Sequence, residues 1–594
     1  MSGKGSPEQV DVIIAGLGPT GLVLAHLLGR RGHRVVVLER ELVFYGNARA
    51  VHTDDECMRV FQAAEVADEL QRRMLRDTPC QWVAPDGRVM ARTCPTRRPF
   101  GWPVVNFFYQ PYLETTLAER LSRYPNVEVR RGRELTALSE DPDGVRVVHQ
   151  ATRTLRYTDS SDARVAAGRP LDPRELRARY LIGADGGRSA VRTLLGVEMT
   201  GESFPEPWLV VDLKATSPDA SGLRHLPCFN FYCDRECPAV SCPQPDGHHR
   251  FEFMLTPGET REHMEKPETV RRYLSRYVDP DRFEVKRRLV YTFKAVIARR
   301  WRVGRTLLAG DAAHMMPQFM GQGMGSGVRD AYNLAWKLDL VLRGLASDAL
   351  LDSYQTERHD HAKRMIDVSV LMKDAVAAST PVRAAVRDAF AAMIRWIPQL
   401  REYVREGRFK PSPTYGPGYF GVPRKRRSDL EGRMVPQPEV RRIDGRRMLL
   451  DEALGEGFAL IGIGLDPRAT LSNRARAFLD SVDASFVALY AVGGRPQGPS
   501  GVAREMPEGL EEVEDVDGEL LAWFRRADVG AEAVALVRPD KFLFAIARAP
   551  ELNAIVDELR ARLGSPAARA GALAHAPNAL GAPSAEDEGR RSPS

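Results

Sequence analysis

The 594-residue sequence predicts a mixed α/β fold, α+β overall, in which a Rossmann-like dinucleotide-binding core is joined to a separate β-rich layer and a second α/β unit. Three stretches carry that expectation. Near the start, Val12–Ala15 reads as a buried strand, GLGPTG as a turn, Leu22–Leu28 as an apolar-faced helix and Arg34–Leu38 as a second strand, which together make a βαβ unit. Between about 205 and 298, the runs WLVVDL, FNFYC, HRFEFML and RRLVYTF are strand-like, with no phosphate-binding loop among them. From about 435 to 563, strands such as FALIGIG, SFVALYAV and FLFAIA alternate with helices such as NRARAFLDSV and LNAIVDELRARL.

The connecting stretches follow in order. VEVRRGRELTAL and GVRVV, broken by DPDG, read as antiparallel strands with a turn between about 128 and 148. ARYLIGADGG and RTLLAGDAAH each end an apolar strand on a glycine and an aspartate. VRDAYNLAWKLDLVLRG then reads as a long helix, and helical sequence continues to about Gly407. KPSPTYGPGYFGVP and the basic run PRKRRSDL read as a solvated linker, and the low-complexity end from about 564 as a disordered tail.

Composition narrows the function classes. Hydrophobic residues at 43% and charged residues at 28% are the balance of a soluble globular protein. The net charge is +6, but 85 basic residues are interleaved with 79 acidic ones, so no nucleic-acid-binding stripe forms. No window is long and apolar enough for a membrane span, and the opening MSGKGSPEQV has no apolar signal region, so a cytoplasmic location is expected. Four of the seven cysteines, Cys228, Cys233, Cys237 and Cys242, lie close in sequence at spacings that lack the tight pair of a structural zinc site. Reduced thiols and no metal are the expectation.

GLGPTG supplies Gly16, Gly18, Pro19 and Gly21 at the junction of strand and helix, where small residues let backbone amides and the helix dipole meet a diphosphate. Glu39 ends the second strand, 23 positions after Gly16, where a carboxylate can accept hydrogen bonds from ribose hydroxyls. These features point to one bound adenine dinucleotide. A later candidate, FALIGIGLDP, has Pro467 where the third glycine belongs and reads as a strand-to-loop junction.

GLGPTG with Glu39, YLIGADGGRSAVR around Asp185, and RTLLAGDAAHMMP around Asp311 together resemble the class A flavoprotein aromatic hydroxylases, the group that includes 4-hydroxybenzoate and phenol hydroxylases. The runs FGWPVVNFFYQPYLE, RFEFMLTPGET, LLDSYQTERHDHAKRMIDVS and VRPDKF are most similar to the 3-(3-hydroxyphenyl)propionate hydroxylase branch, and the likeness spans about residues 10 to 563. The resemblance implies a Rossmann-like FAD-binding domain in three parts (10–85, 86–204 with excursions into the substrate domain, and 299–360), interleaved with a substrate-binding β-sheet layer at 205–298. It further implies a helical segment and linker at 361–434 and a thioredoxin-like C-terminal domain at 435–563 without CxxC.

On this resemblance, Gly16, Gly18, Pro19, Gly21 and Glu39 hold the ADP half of FAD, and Arg40, Arg49 and Gln110 line its adenosine and ribityl side. Asp185 lies where FAD and NAD(P)H binding overlap. Asp311, beside Gly310, accepts from a ribityl hydroxyl, and Pro317, Gly321, Gly323 and Met324 lead into a helix whose amides and positive dipole end face the flavin. Family members commonly carry asparagine near Gly325, and this chain does not.

The implied activity is hydroxylation of a small phenol with NADH or NADPH and O2, through a flavin C4a-hydroperoxide. Tyr291 and His314 are the catalytic candidates, and Trp102, Arg250 and Tyr291 the substrate-binding ones, Arg250 as a cation for an acidic substrate. A homodimer is one expected assembly. Two other readings stay open: an oxygenase acting on a larger polyketide-like aromatic, by hydroxylation, epoxidation or Baeyer–Villiger chemistry, and a non-catalytic flavin redox sensor.

Overall fold

The computed structural model describes residues 8–564 apart from 45, 47, 154–170, 218–222, 224, 379, 417–427, 497–507 and 531. Most of the basic linker and the C-terminal tail fall outside the described residues. The architecture is mixed α/β, with three large sheets and one small one among the described residues.

The first sheet has a parallel run in the order Thr306–Leu308, Arg174–Gly183, Glu8–Ala15, Val35–Glu39 and Val127–Arg131. Val127–Arg131 therefore belongs to the parallel core, not to the antiparallel hairpin expected across 128–148. The hairpin begins one strand later, with Arg133–Asp141 pairing Gly144–Ala151. Asp141 closes its turn by accepting from the amides of Asp143 and Gly144.

Register explains why motifs far apart in sequence converge. Ala15 stands beside Gly183, and Gly183 beside Leu308, so the loops that begin at Gly16, Ala184 and Ala309 leave one edge of the sheet together. Ligands of open parallel sheets bind at such an edge. Helices Pro19–Arg30 and Gly323–Leu342 pack on each other above it, the second carrying buried residues along most of its length.

The second sheet runs in the order His314–Met315, Phe283–Ala298, Met199–Ala215, His248–Met254, Ala239–Pro243, Phe229–Tyr232, Cys80–Val83 and Val89–Thr93. Its last two strands come from before residue 94, so the chain crosses into this sheet twice. Phe229–Tyr232 and Cys80–Val83 pair in parallel.

In the C-terminal unit, Glu511–Asp515, Ser485–Ala491 and Ala459–Ile463 are parallel, and Ala533–Val537 and Leu543–Arg548 continue antiparallel, the arrangement of a thioredoxin-like sheet. A Cβ on Gly462 would meet the Leu465 carbonyl oxygen at 2.2 Å and Pro467 at 2.9 Å, so this strand end is packed shut rather than open to a phosphate. Buried ion pairs dock the unit on the core. Arg538, braced by Asp540 of its own unit at 2.6 Å, donates to Glu357 of the core at 2.6 Å, and Arg59 of the core reaches Asp451 at 2.6 Å.

Candidate functional site

A cavity of about 320 Å³ opens at the sheet edge where the three loops meet and extends toward the second sheet. One end is mostly backbone. Gly18, Pro19 and Thr20 line it, with Ala184, Gly186, Asp311, Gly321, Gly323 and Met324. The other end is walled by Trp82, Phe107, Phe229 and Phe231, with Val240, Cys80 and Cys242 beside them.

The glycines divide by what surrounds them. A Cβ on Gly16 would lie 2.4 Å from the Ala184 carbonyl oxygen, and one on Gly21 would lie 2.1 Å from the Gly16 carbonyl oxygen, so both keep the turn tight against its neighbours. At Gly18 a Cβ would meet no atom within 4 Å, because that position faces the cavity. Pro19 follows in the first turn of the helix, where its missing N–H costs nothing. Glu39 accepts from the amides of Leu17 and Glu41, each at 2.8 Å, and so ties the second strand to the glycine turn.

Gln110 and Arg49 both line the cavity, and Gln110 also holds its neighbours in place. Its Oε1 accepts from the amides of Arg49 at 2.6 Å and Ala50 at 2.7 Å, and its Nε2 donates to Glu114. That fixes the 49–51 segment along the cavity wall. Arg40 lies outside the lining and pairs with Glu41 at 3.5 Å. Asp185 also stays out of the cavity: Ser189 Oγ and the amides of Ala190 and Val191 donate to its carboxylate, which caps the short helix after it. Its neighbours Ala184 and Gly186 are the ones that face inward.

Asp311 is exposed on the cavity side and enclosed by protein elsewhere, so desolvation raises its carboxyl above the ordinary range, opposed by Arg49 and His314. Gly310, at φ 62°, turns the chain just before it. Pro317 caps the turn Gln318–Met320, and Gly321 adopts φ 60°, which directs the chain into Gly323 and Met324. Gly325 has a packing reason of its own: a Cβ there would stand 3.0 Å from both Arg329 Nη1 and Cys57 Sγ. An asparagine at this position would have to displace the arginine.

That arginine belongs to a buried ion cluster missed in the sequence. Asp54, Asp55 and Glu56 present carboxylate oxygens within 4.8 Å of one another, the spacing a metal ion could use. Arg329 reaches Asp54 at 2.5 Å and Glu56 at 2.7 Å, while Lys410 reaches the same two at 2.8 Å and 2.6 Å. Two fixed cations thus stand among the carboxylates. Against the effect of burial, Arg329 and Lys410 hold Asp54 well below its usual range, while burial pushes Asp55 up to about 7. Lys410 and Asp54 both line the cavity, as does His52. The cysteines do not converge into a metal-ligand group among the described residues; Cys80 and buried Cys242 are instead part of the cavity wall.

The remaining sequence candidates sit elsewhere than a substrate chamber requires. Tyr291 is 47% exposed on its strand, with its ring edge-on to Phe293, and is not part of the cavity wall. Trp102 is buried but donates its indole N–H to Gln62 at 2.8 Å, away from the cavity. His314 is fully buried and bonds Asp330 at 2.7 Å, while Asp330 also accepts from the Gly310 amide and Arg358. Burial opposes ionisation there, yet His314 and Arg358 together bring Asp330 down to about 2. This pair braces the Gly310 turn and cannot touch a substrate. Arg250 does reach the cavity, but its guanidinium is engaged by Asp212 at 2.7 Å and by the carbonyls of Arg49 and Ala48. It shapes the 48–50 loop instead of offering an open fork to an acid.

Comparison with known proteins bears on both halves of the chain. Residues 9–369 match the FAD binding domain family, and residues 432–562 match the HcaD C-terminal domain. The chain is 37% identical to the 3-(3-hydroxy-phenyl)propionate/3-hydroxycinnamic acid hydroxylase of Burkholderia cenocepacia over 91% of this chain and 94% of that protein. It is equally 37% identical to the enzyme of that name from Klebsiella pneumoniae, over 94% and 95% of the two chains. Among solved structures, it is similar to aklavinone-11 hydroxylase in complex with FAD and aklavinone, at TM-score 0.71 and 23% identity, covering 94% of this chain and all of that one. OxyS anhydrotetracycline hydroxylase from Streptomyces rimosus matches with TM-score 0.69 and 25% identity over the same shares.

Proposed function

The chain belongs to the FAD binding domain family and is an FAD-dependent aromatic monooxygenase, and from that premise we propose that it hydroxylates a phenol bearing a short acidic side chain, of the 3-(3-hydroxyphenyl)propionate kind. NADH or NADPH serves as hydride donor and O2 as oxygen source. The observation that carries the reading is the single cavity running from the glycine loops to a chamber walled by Trp82, Phe107, Phe229 and Phe231.

The residues at the loop end fit FAD. The glycine turn Gly16, Gly18 and Gly21 would hold its diphosphate with backbone amides, Pro19 would set the start of the helix beside it, Glu39 would hold its ribose, and Asp311 the ribityl chain. Gly321, Gly323 and Met324 would place the helix beginning at Gly323, with its positive dipole end, against the flavin ring. When bound, FAD accepts hydride from the nicotinamide and activates O2. The chain's own work is to orient the phenol, exclude water and handle the phenolic proton. Phe229 stacks on Phe107 at 5.4 Å between ring centres and meets Phe231 edge-on at 4.7 Å, which gives the chamber a continuous aromatic wall.

Substrate-stimulated consumption of NAD(P)H and O2 by the FAD-bound protein tests this, with 18O2 label followed into product. The expected result is stimulation by phenols with a propionate tail. Turnover only with larger polyphenols would move the substrate to a polyketide-like aromatic, and bound FAD with no phenol-dependent turnover would make the protein a redox sensor.

A homodimer is part of the same proposal. Helix Pro381–Trp396 and the residue that follows it leave Val382, Val386, Phe390, Met393 and Ile397 exposed at spacings of three and four, an apolar stripe of the kind two copies bury against each other. Sedimentation equilibrium of the parent and of Val386→Glu checks it: the parent is expected as a dimer, the variant as a monomer. No described helix is long and apolar enough to cross a membrane. Seven free cysteines accord with a reduced, cytoplasmic setting.

A further inference from the structure

We propose that Glu252 is the base that takes the phenolic proton and that Gln318 positions it, an assignment that rests on the hydroxylase reading. Glu252 lies on strand His248–Met254, in register with Val210 on one side and Val240 on the other. It is 3% exposed, and its side chain is part of the cavity wall at the aromatic end. Gln318 Nε2, from the turn that leads toward Gly323, donates to its Oε2. Its Oε1 stands 4.0 Å from Arg250 Nη1, which is already committed to the Arg49 carbonyl. One oxygen is therefore fixed and the other is placed to accept.

The other acceptors on the cavity are committed or weaker. Asp54 is held by Arg329, Lys410 and the Cys57 amide. Asp311 stands at the loop end, beside the Gly310 turn. His52 is brought down to about 4, mainly by burial, which leaves it a poor proton acceptor. The groups around Glu252 are Arg250 on its own strand, Asp212 and Arg287 on the two strands beyond, Cys242 on the other neighbour, and Gln318 opposite. Burial, aided by Asp212 and opposed by Arg250, brings its carboxyl to about 7, a basicity suited to general-base work near neutrality.

In the step, the phenol O–H bond breaks and an O–H bond forms on Glu252 Oε1. The electron pair stays on the phenolate oxygen and delocalises to the ortho and para carbons, one of which then accepts oxygen. No oxidant is consumed in this transfer; O2 and NAD(P)H enter through the hydroxylation itself.

The test compares wild type, Glu252→Gln and Glu252→Asp in their FAD-bound forms, from pH 5.5 to 9, with the phenol the wild type turns over best and with its more acidic ring-fluorinated analogue. Glu252→Gln keeps the bond from Gln318 but cannot accept a proton. Its kcat for product formation is expected to fall about 100-fold on the ordinary phenol and much less on the fluorinated one, with loss of the ascending limb near pH 7. Glu252→Asp is expected to keep that limb. Equal losses on both phenols, with the limb intact, would overturn the assignment while leaving the hydroxylase reading standing. If Glu252→Gln does not retain FAD, Gln318→Ala decides: a displaced limb supports the assignment, and an unmoved one sinks it. A wild type that hydroxylates no phenol removes the reading and the assignment together.

Discussion

The two ends of the cavity are built on opposite plans. At the loop end, backbone meets backbone: Gly16 lies against Ala184, Gly21 against Gly16, and Gly18 leaves open space. At the chamber end, side chains from strands Cys80–Val83, Phe229–Tyr232, Ala239–Pro243 and His248–Met254 form the wall, and polar groups such as Glu252 and Lys410 stand among aromatic rings. At Gly16 and Gly21 the first end tolerates no added atom, because the neighbours there are backbone carbonyls that cannot move aside. The second can lose or gain atoms and still close, because rings repack. Binding of an invariant cofactor suits the first plan and choice of substrate suits the second.

Substitutions separate the two plans. The largest effect is expected from Gly21→Val, which drives a branched side chain into the Gly16 carbonyl oxygen; bound flavin, read from absorbance of the purified protein, should fall by about a hundredfold or more. Next comes Arg329→Met, which couples the ends, since Arg329 joins the helix after Gly323 to Asp54 and Glu56 beside the chamber. Removing one partner of a buried pair should cost about 3–5 kcal/mol in urea unfolding of the FAD-bound protein. The smallest is Phe229→Ala, which opens the aromatic wall: KM for the phenol should rise about tenfold with flavin content unchanged. Loss of flavin from Phe229→Ala, or retention by Gly21→Val, would show that the ends are not independent.

The loop end was legible from sequence because each element is local. GLGPTG states its own turn by spacing, and the resemblance to the flavoprotein hydroxylases added Gly310, Asp311, Gly321 and Gly323, which the structure gathers at the same edge. Asp185 and Glu39 were legible as positions, but their carboxylates turned out to be engaged by nearby amides, which only the local turn geometry reveals. The chamber end was not legible. Tyr291 and Trp102 were chosen as aromatic residues near recognisable motifs, whereas the strand register puts Tyr291 on the exposed face and turns Trp102 toward Gln62. Trp82 and Phe231, from stretches about 150 residues apart, became neighbours only through the parallel pairing of their strands. A faint signal did exist: FNFYC and HRFEF alternate, so one face of each strand had to line something.

By itself, the sequence determined the βαβ start and an adenine-dinucleotide site, since each rests on residues close together in the chain, and the order of its three motifs identified the dinucleotide as FAD through their resemblance to the flavoprotein hydroxylases. Tertiary structure alone decided which of the buried polar groups face the substrate space. Arg250 and Glu252 are two residues apart on one strand and both reach the cavity, yet one is tied to loop carbonyls and the other keeps an oxygen able to accept. The partners that make that difference, Ala48, Arg49 and Gln318, come from distant parts of the chain, and no spacing within RFEFM encodes them.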